Sequence, residues 1–370
     1  MGQHADTGAK HICAMNIVLD TNAICADYHM QGAAFRLLLE ALERLPARLV
    51  IPEVVLAEAT NRYREDLTEI LAQARKVHGS LLRLLPQIAA SSYAEVSVED
   101  ATTQYEQQLR RKFLKLGDLL PYPEVQHSEV VARDLARRNP FKRDGSGYRD
   151  CLIWESIKKF VASQPTAPTC FVTANTRDFG TGPLPLSSLL AELPSVDSVR
   201  ILSSIAAFNE EFVIPQLPPA YASDDSEQAQ LIARFRVSEW LTANLPSILN
   251  RRGIKDITST WPKHELGGIS VTAVRSIEDL ALTGSRRLAI DGLLIRLRSV
   301  VLLQTEVYVD TYDAATIYAW AHDRQVSLSG GGSDWVTGDL EIRMEIRVDL
   351  LLDVSSGAVS SSELIGAVSL

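Results

Sequence analysis

Asn16-Ile17-Val18-Leu19-Asp20-Thr21-Asn22 is the stretch that decides how the first half of the chain is read. Three consecutive aliphatic residues, with no polar residue alternating between them, make a short strand buried on both faces. The strand ends on a carboxylate followed by two hydrogen-bonding side chains. Three further stretches set an acidic residue at the edge of an apolar segment in the same way. They are Ile51-Pro52-Glu53-Val54-Val55-Leu56-Ala57-Glu58, Gly147-Tyr148-Arg149-Asp150-Cys151-Leu152-Ile153-Trp154 and Phe171-Val172-Thr173-Ala174-Asn175-Thr176-Arg177-Asp178-Phe179.

Around these stretches the periodicity predicts strands at 16–20, 49–51, 170–173 and 199–202. Helices are expected at 35–45, stopped by Pro46, from Pro52 past Lys76, and over 148–162. A long helical region broken near Pro121 and Pro123 fills 80–138, and a helix reaching Phe212 follows the last strand. Strands alternating with helices give an α/β fold with a mostly parallel sheet covered on both faces. Ligands of such sheets lie beyond the carboxyl ends of the strands. Asp20 and the 173–178 loop fall there directly, and Glu58 and Asp150 would be delivered by early helical turns.

The chain has 370 residues, enough for two domains, and is 46% hydrophobic and 22% charged. No run of about 18 apolar residues occurs, so no membrane span is expected, and residues 1–14 read as a loose extension without the apolar core of a signal peptide. Cys13, Cys25, Cys151 and Cys170 are scattered, as are the seven histidines. That spacing points to reduced thiols in a cytoplasmic protein and carries no zinc signature. A net charge of −9 argues against a broad nucleic-acid-coating surface but leaves room for a local grip on a short strand. Arg133, Arg137, Arg138, Lys142, Arg143 and Arg149 run directly into Asp150; they read either as a solvated helix face or as phosphate contacts beside it.

Domain boundaries are expected at 15–215 for the α/β domain, 216–226 for a Pro-rich, then polar linker, and 227–370 for a smaller α+β domain. After one helix over 227–250, Leu340, Ile342, Met344, Ile346, Val348 and Leu350 alternate with Glu341, Arg343, Glu345, Arg347 and Asp349. Leu303 to Asp310 alternates likewise. This is the pattern of antiparallel strands with one wet face. Gly330-Gly331-Gly332 reads as a loop rather than a phosphate cradle.

Gathered carboxylates repel one another and become easier to protonate, a conflict that a divalent cation removes. Oxygen-only ligands favour Mg²⁺ or Mn²⁺. Each acid also has a plainer role open to it. Asp20 can cap the next helix, Glu58 can be a solvated helix residue, Asp150 can cap its own helix and Asp178 can stabilise a turn. Thr173 can orient a ligand or merely end a strand. Asn22 can hydrogen-bond Asp20. Arg149 and Lys142 can contact phosphate or pair with Glu155 or Asp144. Trp154 reads as core. An aspartate after the first strand also occurs in haloacid-dehalogenase-type phosphatases, but these need a second aspartate where this chain has Asn22.

Taken in order, the four stretches resemble the PIN-domain ribonucleases, specifically the larger bacterial PIN-like group with a C-terminal extension (the DUF4935 type). The resemblance covers residues 16 to about 212 and implies a PIN-like three-layer α/β/α domain. It further implies a metal-dependent endoribonuclease of toxin or defence type, in which Asp20, Glu58 and Asp150 match three acidic positions and hold Mg²⁺ or Mn²⁺. Many PIN domains carry Thr-x-Asp-x-Asp-Phe at the fourth corner, where this chain has Asn175 and Asp178. On this reading water attacks RNA, leaving 5′-phosphate and 3′-hydroxyl ends, while Asn22, Lys142, Arg143, Arg149 and Thr173 bind substrate. The competing expectation is a catalytically weak PIN scaffold that binds RNA or protein through its C-terminal domain. A homo-oligomer is compatible with either.

Overall fold

The computed structural model describes residues 15–85, 95–175, 179, 187–220, 225–252, 268–288, 292–310, 322, 327–331 and 335–370. These form two compact units, one chiefly of residues up to Val213 and the other of Ile214–Leu370. The expected 1–14 extension lies outside the described residues.

The first unit is built on β1 (Met15–Leu19), whose five residues are all buried. β1 pairs in parallel with β2 (Ala47–Pro52) on one side and β4 (Thr169–Val172) on the other. Outside these lie β3 (Gly117–Leu120) and β5 (Val199–Leu202), giving the all-parallel order β3-β2-β1-β4-β5. Such a sheet must be covered on both faces. The helices that connect its strands are α1 (Thr21–Cys25), α2 (Ala33–Arg44), α3 (Glu53–Leu84), α4 (Val98–Leu116), α5 (His127–Leu135) and α6 (Tyr148–Ser163). Shorter helices α7 (Ser187–Leu190) and α8 (Ile205–Phe208) flank β5. The α/β/α expectation is met, and Trp154 is fully buried as expected of a core residue.

Three local differences from the sequence reading have physical causes. Pro52 is the extended residue before α3 rather than part of its first turn. The helix expected past Lys76 runs on through Gly79 to Leu84, since a Cβ-less residue on an open helix face weakens the helix without ending it. β3 was hidden in the expected helical region because four residues are too few to show a period of two. Gly117 lets that strand start immediately after α4: a Cβ there would meet the Leu49 carbonyl oxygen at 1.9 Å, since Gly117 is paired with Leu49.

The second unit has the antiparallel sheet the alternation predicts. β6 (Gly268–Arg287), β7 (Gly292–Asp310), β9 (Trp335–Asp353) and β10 (Ala358–Ser369) lie in the order β10-β9-β7-β6, and β8 (Ser327–Gly331) pairs with β9. Gly330 and Gly331 therefore belong to a strand, while Gly332 lies outside the described residues. Leu340 to Leu350 on β9 bury their even-numbered side chains in one core with Leu293, Ile295, Leu297, Val301, Leu303 and Val307 of β7. Two helices cover that face where one was expected: α9 (Asp225–Arg234) and α10 (Val237–Arg252) are separated at Arg236, which has φ 49°. Next to the first irregularity of β6, the Asn250 amide satisfies the backbone of Val271, donating to Val271 O at 2.9 Å and accepting from Val271 N at 2.7 Å. On the other face Arg296 grips the buried Asp349 through two 2.7 Å bonds. Among the described residues, no helix is long and apolar enough to cross a membrane.

Gly117→Ala is expected to destabilise the first unit by about 3 kcal/mol, the upper range for forcing extra volume into a packed backbone. Urea unfolding followed by circular dichroism checks this, and an unchanged midpoint would show that β3 shifts freely.

Candidate active site

The carboxyl ends of β1 and β4 lie side by side, and the Asp20 N–H donates to Val172 O at 2.9 Å. The buried Asp20 side chain caps α1, with Oδ1 accepting from Thr21 N at 2.7 Å. Its Oδ2 accepts from Thr173 Oγ1 and from Asn22 Nδ2, both at 2.6 Å. The Asp20 carboxylate thus caps α1 and ties in Thr173 at the end of β4. Asn22 also draws in the loop after β4 by accepting from Ala174 N at 2.9 Å, and Asn175 N donates to Thr173 Oγ1 at 3.0 Å.

Glu58, in the second turn of α3, faces the same place. Its Oε2 accepts from Thr21 Oγ1 at 3.0 Å, and its Oε1 pairs with Arg149 Nη1 at 2.8 Å. The Glu58 side chain is only 12% exposed. Arg149 therefore pairs with Glu58 rather than with Glu155 or Asp144, either of which the sequence left open. Thr21 was not singled out from sequence, although Asp20-Thr21-Asn22 already placed a hydroxyl beside the capping carboxylate.

Asp20 titrates above the ordinary aspartate range. Burial is the main cause, the hydrogen bonds from Thr173, Thr21 and Asn22 oppose it, and the charge of Glu58 adds to it. That influence of Glu58 marks the two acids as neighbours.

Asp150 is half-buried in the first turn of α6, directly after Arg149. The loop leading to it is fixed by Gly147, which has φ +118° and comes so close to Pro140 that a Cβ would lie 2.6 Å from its carbonyl oxygen. Lys142 N donates to Ser146 O at 2.8 Å, and Asp144 Oδ1 accepts from Ser146 N at 2.9 Å. Lys142 and Arg143 are exposed on this turn. Arg133, at the head of the same basic run, is not available to phosphate. It is buried, donating to Asn139 O at 2.7 Å and to both Glu192 oxygens at 3.1 and 2.5 Å. Trp154 Nε1 and Lys158 complete this network around Glu192 and Glu155. Its signal in the sequence was Val130, three residues earlier, which puts Arg133 on the buried stripe of α5. Asn175 is half-buried beside Thr173, and Asp178 lies outside the described residues.

Residues 17–179 match the family model described as PIN domain. These residues form a PIN domain. PIN domains are generally nucleases and typically use divalent metals. A solved structure of VapBC2 from Rickettsia felis, bound to a DNA fragment from their promoter, aligns at 14% identity. It covers 51% of this chain and 99% of that one, with a TM-score of 0.27, too low to carry an argument. No curated protein matches the sequence.

The donors of this PIN domain suit such a metal chemically. They are all oxygen, and a buried carboxylate pushed up by burial and by a second acid presents the conflict a cation relieves. Among the described residues, no three His, Cys, Asp or Glu side chains gather into one metal-holding group. The pair the structure brings together is Asp20 and Glu58.

The raised titration of Asp20 has a definite sign. Because the folded state holds the proton to higher pH than the unfolded chain, the cost of burying the charge is absent at low pH. It grows as pH rises toward the folded value. In chelated protein, Asp20→Asn should therefore gain stability relative to wild type as pH rises above the ordinary aspartate value of about 4, as urea unfolding measures. A pH-independent difference would contradict the burial argument.

Proposed function

We propose that the PIN domain is a cytoplasmic, metal-dependent endoribonuclease that hydrolyses RNA phosphodiester bonds with water as the nucleophile. The observation that carries this reading is the buried Asp20 carboxylate, held by three donors at the carboxyl end of the central strand with Glu58 as its charged neighbour. Buried acids with specific charge partners are costly and concentrate at functional sites.

Asp20 and Glu58 would hold Mg²⁺ or Mn²⁺; Asp150, which the structure does not gather into one group with them, would have to close onto the ion, with Asn175 and Asp178 as candidates for the remaining corner. A bound divalent ion supplies activation of water and charge relief at the phosphate. The chain's own residues do the positioning. Thr173 and Asn22 fix the Asp20 rotamer, and Thr21 fixes Glu58. Lys142, Arg143 and Arg149 supply exposed cations for a strand's phosphates, which a chain of net charge −9 needs locally. Cleavage by water would leave 5′-phosphate and 3′-hydroxyl ends.

Incubation with single-stranded and structured RNAs plus Mn²⁺, followed by sequencing of the product ends, tests this. Asp150→Asn should lose more activity than the roughly 10–100-fold expected for Thr173→Val, a substitution that removes only an orienting partner. Cleavage persisting in Asp150→Asn would remove that residue from the site. A wild-type protein that cuts no RNA with either metal would favour a binding scaffold.

A further inference from the structure

The Arg149–Glu58 ion pair lies between the acidic pair and the basic loop. We propose that Arg149 is an exchangeable counter-ion: it neutralises Glu58 until a divalent cation takes that carboxylate, then turns outward to bind an RNA phosphate. The proposal rests on the metal-dependent nuclease reading above.

The two partners differ in freedom. Glu58 is anchored, with a side chain 12% exposed and Oε2 held by Thr21 Oγ1 at 3.0 Å. Arg149 reaches it from the solvent side, with a side chain 54% exposed. A displacement at Glu58 Oε1 must therefore move the arginine. A guanidinium and a divalent ion on one carboxylate repel each other strongly over a few ångströms, so the two cations compete for Glu58. Arg149 is in the first turn of α6, where its backbone is fixed and only the long side chain needs to swing. The released guanidinium stays next to Asp150 in sequence and close along the chain to the exposed Lys142 and Arg143. Its planar fork matches two phosphate oxygens, which a lysine cannot do.

The exchange couples the two ligands. Metal frees Arg149 for phosphate, and phosphate draws Arg149 away from the carboxylate that metal needs, so each tightens the other. A salt bridge serving only to hold α6 against α3 would produce no such coupling.

Calorimetric titration of full-length wild type, Arg149→Ala and Arg149→Lys with Mn²⁺ tests the proposal, together with kcat and KM for single-stranded RNA. Arg149→Ala should bind Mn²⁺ about two- to fivefold more tightly, the scale of losing one partly exposed competing ion pair. Its KM for RNA should rise more than its kcat falls, with Arg149→Lys intermediate in Mn²⁺ affinity. Unchanged or weaker Mn²⁺ binding by Arg149→Ala, in a wild type that binds Mn²⁺ and cuts RNA, overturns the exchange and leaves the nuclease reading intact. Tighter Mn²⁺ binding with an unchanged KM overturns the phosphate step. Absence of Mn²⁺ binding in all three proteins overturns both the exchange and the metal-dependent reading.

Discussion

One buried carboxylate organises the carboxyl end of the first unit's central strands. Asp20 terminates the central strand, and its two oxygens accept from Thr21 N, Asn22 Nδ2 and Thr173 Oγ1. Through Asn22 and Thr173 the same web fixes the first residues after β4, since Ala174 N and Asn175 N each bond into it. Two adjacent strand ends and two loops are thus held by a group whose ionised form burial disfavours. Three hydrogen bonds do not fully offset that cost, and Glu58 adds to it. A neutral cap at the same place would avoid that cost.

The cations around this end divide into two kinds. Arg133 is buried and internally paired, linking α5, α6 and Glu192 to the carbonyl of Asn139. It holds the body of α6, and with it the turn bearing Asp150, in place. Lys142, Arg143 and Arg149 are exposed. One run of basic residues therefore contains both scaffold and candidate substrate contacts, and only burial separates them.

Much of this was legible in sequence. The uninterrupted Ile17-Val18-Leu19 run located β1, and the alternation over Leu340–Leu350 located β9, because in each the burial pattern is written directly in residue order. Asp20 and Thr173 were legible as lying at the carboxyl ends of parallel strands, and Asn22 as a hydrogen-bond partner of Asp20 two residues away. The pairing of Arg149 with Glu58 was not, because it joins residues on α3 and α6, and helix facing at that range depends on packing rather than local periodicity. Four-residue β3 was equally hidden, and so was the break at Arg236, where a non-glycine residue adopts φ 49° without a glycine or proline to announce it.

If Asp20 and Glu58 belong to one divalent-cation site, a crystal of the full-length protein grown with Mn²⁺ will show it directly. The anomalous difference map should contain a peak within bonding distance of both carboxylates and of Asp150, and that peak should vanish in Asp20→Asn. A map without density between Asp20 and Glu58 at saturating Mn²⁺, or a peak there that survives Asp20→Asn, would contradict a metal site organised by the buried aspartate.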